Sequence, residues 1–222
     1  MKYTLKLSTL SDTLIGSALS YGTIIDSDIV FDAKGLPYIP AKRIKGLLRN
    51  AATDLLSTAG YQALFPMDER IVNAFFGKIG SNDPNPGMIF ENLYLENYPE
   101  IDRWMDYLGD KYAYEINKPL LRQFFTEIRT QTAIDPQTNT AKEHSLRSSR
   151  VLKKGFEFSG EIFICDHSED IQTLLGIACL LVDRIGSKRN RGFGKVKLDL
   201  LDQTGGSICR KLERKLEESC KN

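Results

Sequence analysis

Histidine is nearly missing from this sequence, with two among 222 residues, and cysteine is sparse, with four. Two imidazoles exclude a multi-histidine metal centre. The cysteines, at 165, 179, 209 and 220, form no close pair such as C-x-x-C, and no charged, apolar and small-residue succession marks a signal segment at the start. A reduced, cytoplasmic protein is therefore expected. Long apolar runs are missing too: the longest, Ile177–Val182, spans six residues, where a bilayer needs about 20. No membrane role is expected. Nor is there an excess of either charge, because Lys plus Arg number 30 and Asp plus Glu 29, for a net charge of +1. That balance excludes a polybasic histone-like chain and an acidic disordered tail, so nucleic-acid binding must come from local patches. No repeat, low-complexity tract or linker divides the chain, and its 25.1 kDa suits one large domain.

What is present reads as alternating strands and amphipathic helices. Residues 2–8 place Tyr3, Leu5 and Leu7 on one side and Lys6 and Ser8 on the other, the period of a half-buried strand. Residues 9–40, rich in Ser, Gly, Thr and Asp with Gly16, Gly22 and Gly35, predict a long excursion of short extended pieces and turns. After Pro40, the positions Ile44, Leu47, Leu48, Ala51, Leu55 and Leu56 predict a helix that Gly60 stops. A second strand is predicted over 88–96, short helices near 99–109 and 118–128 with Pro119 in the first turn of the latter, and a polar protruding arm over 129–154. Phe156, Phe158, Ile162 and Ile164 mark a third strand. Helical spacing over 169–185, capped by Gly186, and alternation over 195–201 complete the series. The order is strand, helix, strand, strand, helix, strand, that is, an α+β ferredoxin-like (RRM-like) βαββαβ arrangement carrying large insertions. The terminal stretch 210–219 reads as a surface helix.

The cations cluster. Lys42, Arg43, Lys45 and Arg49 lie in the first helix, Lys188, Arg189 and Arg191 in a glycine-flanked loop, and Arg147, Arg150, Lys153 and Lys154 at the end of the arm. Local concentration of this kind is what a neutral protein needs to hold a polyanion. Neither Pro40 nor Ala41 offers a side-chain oxygen to cap the first helix, and Lys42 and Arg43 add positive charge to the positive end of its dipole. A phosphate bound there would relieve both. The loop 186–194 (GSKRNRGFG) is no Walker motif, since its GK is followed by Val196. The run 191–198 (RGFGKVKL) partly matches the RNA-recognition signature, but Lys195 and Leu198 replace the stacking aromatics. A loop that clamps a backbone through Gly192 and Gly194 is the better expectation.

Three stretches resemble the RAMP superfamily of CRISPR-associated proteins, in particular the repeated backbone subunit of type III effector complexes. They are IDSDIVFDAKGLPYIPAKRIKGLLR (25–49), RTQTAID with the arm and VLKKGFEFSGEI (129–162), and RIGSKRNRGFGKVKL (184–198). The resemblance implies a single RAMP domain over 1–222, with a palm (1–8, 41–60, 88–96, 155–201), a loop insertion (9–40), a helical insertion (97–128), a thumb hairpin (129–154) and a C-terminal tail (202–222).

The resemblance also implies function: copies of the chain stack along one CRISPR guide RNA beside other type III effector subunits, and each grips the backbone through the basic helix face and the glycine loop. Sequence would then be read by base pairing with target RNA. A thumb residue, Ile134 or else Leu146, would wedge out one base pair per copy. Active relatives cut target RNA with a loop aspartate and a divalent cation, Mg²⁺ being the expected one. By position the catalytic and metal-holding residue is Asp26, with Asp28 and Asp32 as neighbouring candidates and cyclic phosphate ends as product. The absence of histidine before His144 argues against a guide-processing nuclease. His144 and His167 read as solvated polar residues. A non-catalytic capping or guide-tag-binding subunit of such a complex, and an unrelated ferredoxin-like RNA-binding protein, are the alternatives.

Overall fold

The computed structural model describes residues 1–16, 25–58, 69–77, 87–112, 114, 116–165 and 169–219. Gly22, His167 and the Gly60 expected to stop the first helix lie outside them.

Alternation at the start of the chain becomes strand β1 (Lys2–Thr9), which buries Tyr3, Leu5 and Leu7 and turns Thr4, Lys6 and Ser8 to the other face. Strands β2 (Met88–Phe90), β3 (Tyr94–Leu95), β6 (Glu157–Ile164) and β7 (Val196–Leu201) join it in one antiparallel sheet of order β2-β6-β1-β7, with β3 also on β6. This is the ferredoxin-like order, in which the first strand sits between the third and the fourth. Helices α1 (Ala41–Ser57) and α5 (Glu169–Leu181) pack together and share one apolar cluster with Leu5, Leu7, Phe158, Ile162, Leu198 and Leu200 of the sheet. Leu5 and Leu7 are fully enclosed, so truncating either to alanine costs about 2–5 kcal/mol.

The second strand differs from the expected 88–96. Phe90 pairs with Ile162 and Tyr94 with Ser159, so three residues on one strand oppose two on the other. This is a β-bulge. Gly160 permits it, because a Cβ there would lie 2.7 Å from the Asn92 carbonyl oxygen. Leu93 leaves the sheet and exchanges two backbone hydrogen bonds with Ile39, at 2.8 and 2.9 Å.

Helix α2 (Glu69–Phe76) packs on α1, an element the apolar spacing did not single out. Helix α3 (Tyr98–Lys111) takes the place expected over 99–109. Helix α4 (Lys118–Phe125) starts as expected, with Pro119 in its first turn and the Asn117 side chain accepting from the Leu120 N–H. It stops before 128, however, because Thr126 begins strand β4 (Thr126–Gln131). There β-branched Thr126, Ile128 and Thr130 zip onto β5 (Arg147–Leu152) as an antiparallel hairpin.

Helix α5 also ends earlier than the sequence suggests, at Leu181. The Ile185 N–H donates to Gly194 and the Val196 N–H to Asp183, so the chain after the helix folds into the loop that leads to β7. Gly186 accordingly does not cap the helix. Helix α6 (Ile208–Ser219) is more than a surface helix, since Ile208, Cys209 and Leu212 are buried and Gly176 of α5 leaves room for Leu212. Among the described residues no helix is long and apolar enough to cross a membrane.

Candidate nucleic-acid interface

The three loop aspartates have different surroundings. Asp28 is buried, its Oδ2 held at 2.7 Å by the Arg150 guanidinium while its Oδ1 accepts from the Ile29 N–H. Asp32 folds a turn by accepting from the Lys34 and Leu36 N–H groups, both at 2.9 Å, and its second oxygen accepts from the Tyr98 hydroxyl at 2.7 Å. Burial, and then the Asp32 carboxylate, push the Tyr98 phenol well above its ordinary range. Asp26 alone of the three stays open, with 44% of its side chain exposed. Its Oδ2 accepts from the Ser148 N–H at 2.7 Å, and Oδ1 lies 3.8 Å from Nη1 of Arg147. Geometry therefore separates one available carboxylate from two structural ones.

The loop holds that position because it docks on the arm. Ser27 forms a parallel bridge with Ser149, the Asp26 N–H donates to Ser148 and the Arg150 N–H donates to Ser27. Strand β5 is thus flanked by β4 on one edge and by residues 26–28 on the other.

The glycine loop approaches β5 from elsewhere. Lys188, in left-handed backbone with φ 57°, donates from Nζ to Ser149 Oγ at 2.9 Å. The Arg184 guanidinium braces the loop by donating to the Arg189 carbonyl. A Cβ on Gly186 would stand 2.3 Å from the Leu14 carbonyl oxygen, and one on Gly194 2.0 Å from that of Ile185. The close approach that these two glycines allow is to the protein's own backbone rather than to a ligand. Gly192, by contrast, faces open space.

Arg43, Leu47 and Asn50 of α1 face Gly186, Ser187 and Arg189 across a cleft of about 240 Å³. The basic helix and the glycine loop therefore share one side of the molecule. The helix cations nevertheless divide. Arg43 borders the cleft and donates to the Gly16 carbonyl at 3.1 Å, whereas Arg49 turns to Asn73 of α2 at 2.7 Å. At 100° per residue Lys42, Lys45 and Arg49 form a separate stripe. The expected anion at the helix start is also partly pre-empted, because the Ala41 N–H donates to Asn92 Oδ1 at 2.9 Å. No local sequence pattern reveals that cap, since Asn92 reaches it from the bulge. Arg191 and Gly192 are exposed at the end of the short 3₁₀ turn Arg189–Arg191.

On the arm, Ile134 and Leu146 are both exposed, Ile134 opposite Ala141 near the tip and Leu146 just before β5. His144 is exposed as well. Cys179 and Cys209 are buried, in keeping with small apolar roles. Ser148 and Ser149, which hold Asp26 and Lys188, carry no sequence signal of their own.

Among the described residues no three His, Cys, Asp or Glu side chains gather as a metal site. The chemistry of Asp26 fits a divalent cation in one mode, as a single protein carboxylate with the other positions left to water or a ligand, a mode common for Mg²⁺.

Residues 6–197 match the family model of the RAMP superfamily. The chain is 38% identical over 103 residues to the CRISPR system CMR subunit Cmr6 of Saccharolobus solfataricus, a match that takes in 44% of this chain and 36% of that protein. It is 24% identical over 215 residues to the CRISPR system Cms endoribonuclease Csm3 of Streptococcus thermophilus, covering 92% of this chain and 89% of the relative. Among solved structures, a chain of the type III-B Cmr-beta complex bound to cognate target RNA superposes with a TM-score of 0.63 at 12% identity, over 90% of this chain and 97% of that one. The apo state of Cmr-beta gives 0.61 at 13% identity, over 91% of this chain and 98% of its own. At such identities the structural likeness is one of fold.

Proposed function

The chain belongs to the RAMP superfamily, and on that premise we propose that it is a guide-RNA-binding backbone subunit of a type III CRISPR effector complex that cuts complementary target RNA at Asp26. The carrying observation is that Asp26 is the one open carboxylate of its loop and is held by Ser148, next to the Ser149 that receives Lys188. Full-length similarity to a protein named as an endoribonuclease supports the reading.

In this account Arg43, Arg189 and Arg191 neutralise guide phosphates, with Lys42 and Lys45 on the adjoining helix stripe, while Lys188, turned to Ser149 beside Asp26, faces the RNA phosphate at the cut. Each contact is electrostatic and sequence-neutral. The guide reads the target by base pairing, and copies of the chain and other type III subunits extend the track. An exposed arm residue, Ile134 or Leu146, displaces a base pair, so that a ribose 2′-hydroxyl turns in line with its neighbouring phosphorus. The Asp26 carboxylate orients that hydroxyl and accepts its proton. Asp26 is the residue that would hold a divalent cation, whose charge would supply electrostatic stabilisation to the reaction.

The test is an assembly purified with its guide, in wild-type and Asp26→Ala forms. Wild type yields target fragments with cyclic phosphate ends at regular spacing, while Asp26→Ala retains guide RNA and leaves the target whole. Unchanged cleavage by Asp26→Ala overturns the assignment. The second reading is a non-catalytic capping or guide-tag-binding subunit of the same kind of complex. That reading predicts one copy per assembly and unchanged cleavage by the variant.

A further inference from the structure

Arg147 and Arg150 sit three residues apart on the same strand, yet their environments differ. Arg150 is 19% exposed and locked to buried Asp28 at 2.7 Å. Arg147 is 62% exposed, and its nearest carboxylate oxygen, Oδ1 of Asp26, lies at 3.8 Å, beyond hydrogen-bonding distance. Arg150 is thereby structural. Arg147 has its guanidinium beside the proposed catalytic carboxylate without being committed to it.

Side chains two apart on a strand share a face, so Arg147 points to the same side of β5 as Ser149, where Lys188 places its ammonium 2.9 Å from Oγ. Arg147 and Ser149 lie about 7 Å apart along the strand, near enough for a guanidinium on the first and an ammonium bound at the second to reach one phosphate. We propose that Arg147 is a catalytic residue which, opposite Lys188, grips the non-bridging oxygens of the scissile target phosphate. The proposal rests on the cleavage reading given above.

The chemistry gives the cation a defined task. The 2′ oxygen bonds to phosphorus as its proton passes to the Asp26 carboxylate. The bond from phosphorus to the 5′ oxygen breaks and that oxygen takes a proton from water, which recovers one from the protonated Asp26, leaving a cyclic phosphate, a 5′ hydroxyl and the carboxylate restored. Between those states the phosphate carries extra negative charge on its non-bridging oxygens. A planar guanidinium with paired donors matches that charge better in the transition state than in the ground state. Leu146 precedes Arg147 and Ser148 follows it, so one of the two candidate wedges, the phosphate clamp and the amide that holds Asp26 occupy three consecutive residues.

The experiment compares assemblies carrying wild-type chain, Arg147→Ala, Arg147→Lys and Asp26→Ala under single-turnover conditions, on target with a normal phosphate or a phosphorothioate at the cut position. Arg147→Ala is expected to slow cleavage by about 100-fold, with guide content, target affinity and cut position retained. Arg147→Lys recovers part of the rate, and the sulfur penalty seen with wild type shrinks in Arg147→Ala because the discriminating contact is gone. If Asp26→Ala is inactive while Arg147→Ala cuts at the wild-type rate, or keeps the full sulfur penalty, the inference alone is overturned. A wild-type assembly that never cuts overturns the underlying reading and this inference together.

Discussion

Asp26 and Ser148 hold each other twice: the Ser148 N–H donates to Asp26 Oδ2 at 2.7 Å, and the Asp26 N–H donates to the Ser148 carbonyl at 2.9 Å. The first bond fixes a side chain and the second fixes the backbone that carries it. Asp26 is therefore an exposed residue with a defined position.

Exposure and burial divide the consequences of mutating the loop acids. Asp28→Asn leaves the Arg150 guanidinium without its charged partner and is expected to cost about 3–5 kcal/mol, seen as an earlier urea midpoint. Asp26→Asn is expected to change the unfolding free energy by less than about 0.5 kcal/mol, while target cleavage by the assembly is lost. A midpoint for Asp28→Asn equal to that of wild type contradicts the structural assignment.

The loop glycines carry unequal loads. Gly194→Ala sets a Cβ against the Ile185 carbonyl at 2.0 Å in backbone with φ +79°, so the loop has to move. Gly192→Ala meets no atom within 4 Å, and only its φ of +85° resists the change, at about 1–2 kcal/mol. Thermal melting should rank Gly194→Ala well below Gly192→Ala. Guide retention should follow the same order.

Tyr98 offers a pH test. Its phenol, held protonated by burial and by Asp32, has a folded pKa above the ordinary 10.0. The stabilisation is fully present below that ordinary value and is lost as pH climbs toward the folded one, because the unfolded chain ionises first. Tyr98→Phe is expected to cost about 1.5 kcal/mol at neutral pH. The gap between variant and wild type should narrow above about pH 10, and a gap independent of pH up to 11 would speak against the Tyr98–Asp32 bond.

The two candidate wedges separate by position. Ile134 lies three residues beyond the Gln131–Arg147 pair, about 10 Å along an extended chain, whereas Leu146 adjoins Arg147. Leu146→Ala is expected to reduce cleavage and blur the cut position, and Ile134→Ala to leave both near wild type. Fragment mapping at nucleotide resolution decides between them, and the reverse outcome would move the wedge to the tip.

The sheet was legible because its strands alternate cleanly: Leu5, Leu7, Ile162 and Leu198 all lie in the core. The hairpin arm was legible from its polarity. The bulge at Glu91–Leu93 was not, since it depends on a missing Cβ at Gly160 across the sheet, and helix α4 ended early because pairing with β5 prevails over helical spacing. At the site, the family resemblance pointed by position to Asp26 ahead of Asp28 and Asp32, while residue type alone did not separate the three. Their difference arises from Arg150, more than a hundred positions away in the chain. Separation in the chain likewise hid Asn92, 51 residues beyond the Ala41 N–H that its amide oxygen caps.

Because residues 26–28 add to β5 as a further edge, the acid loop is bonded to the root of the arm and not to its tip. Lengthening, shortening or replacing residues 133–145 should leave Asp26 seated where it is. Under the function proposed above, the tip is free to diversify against different neighbours while the position of the cut stays tied to the root.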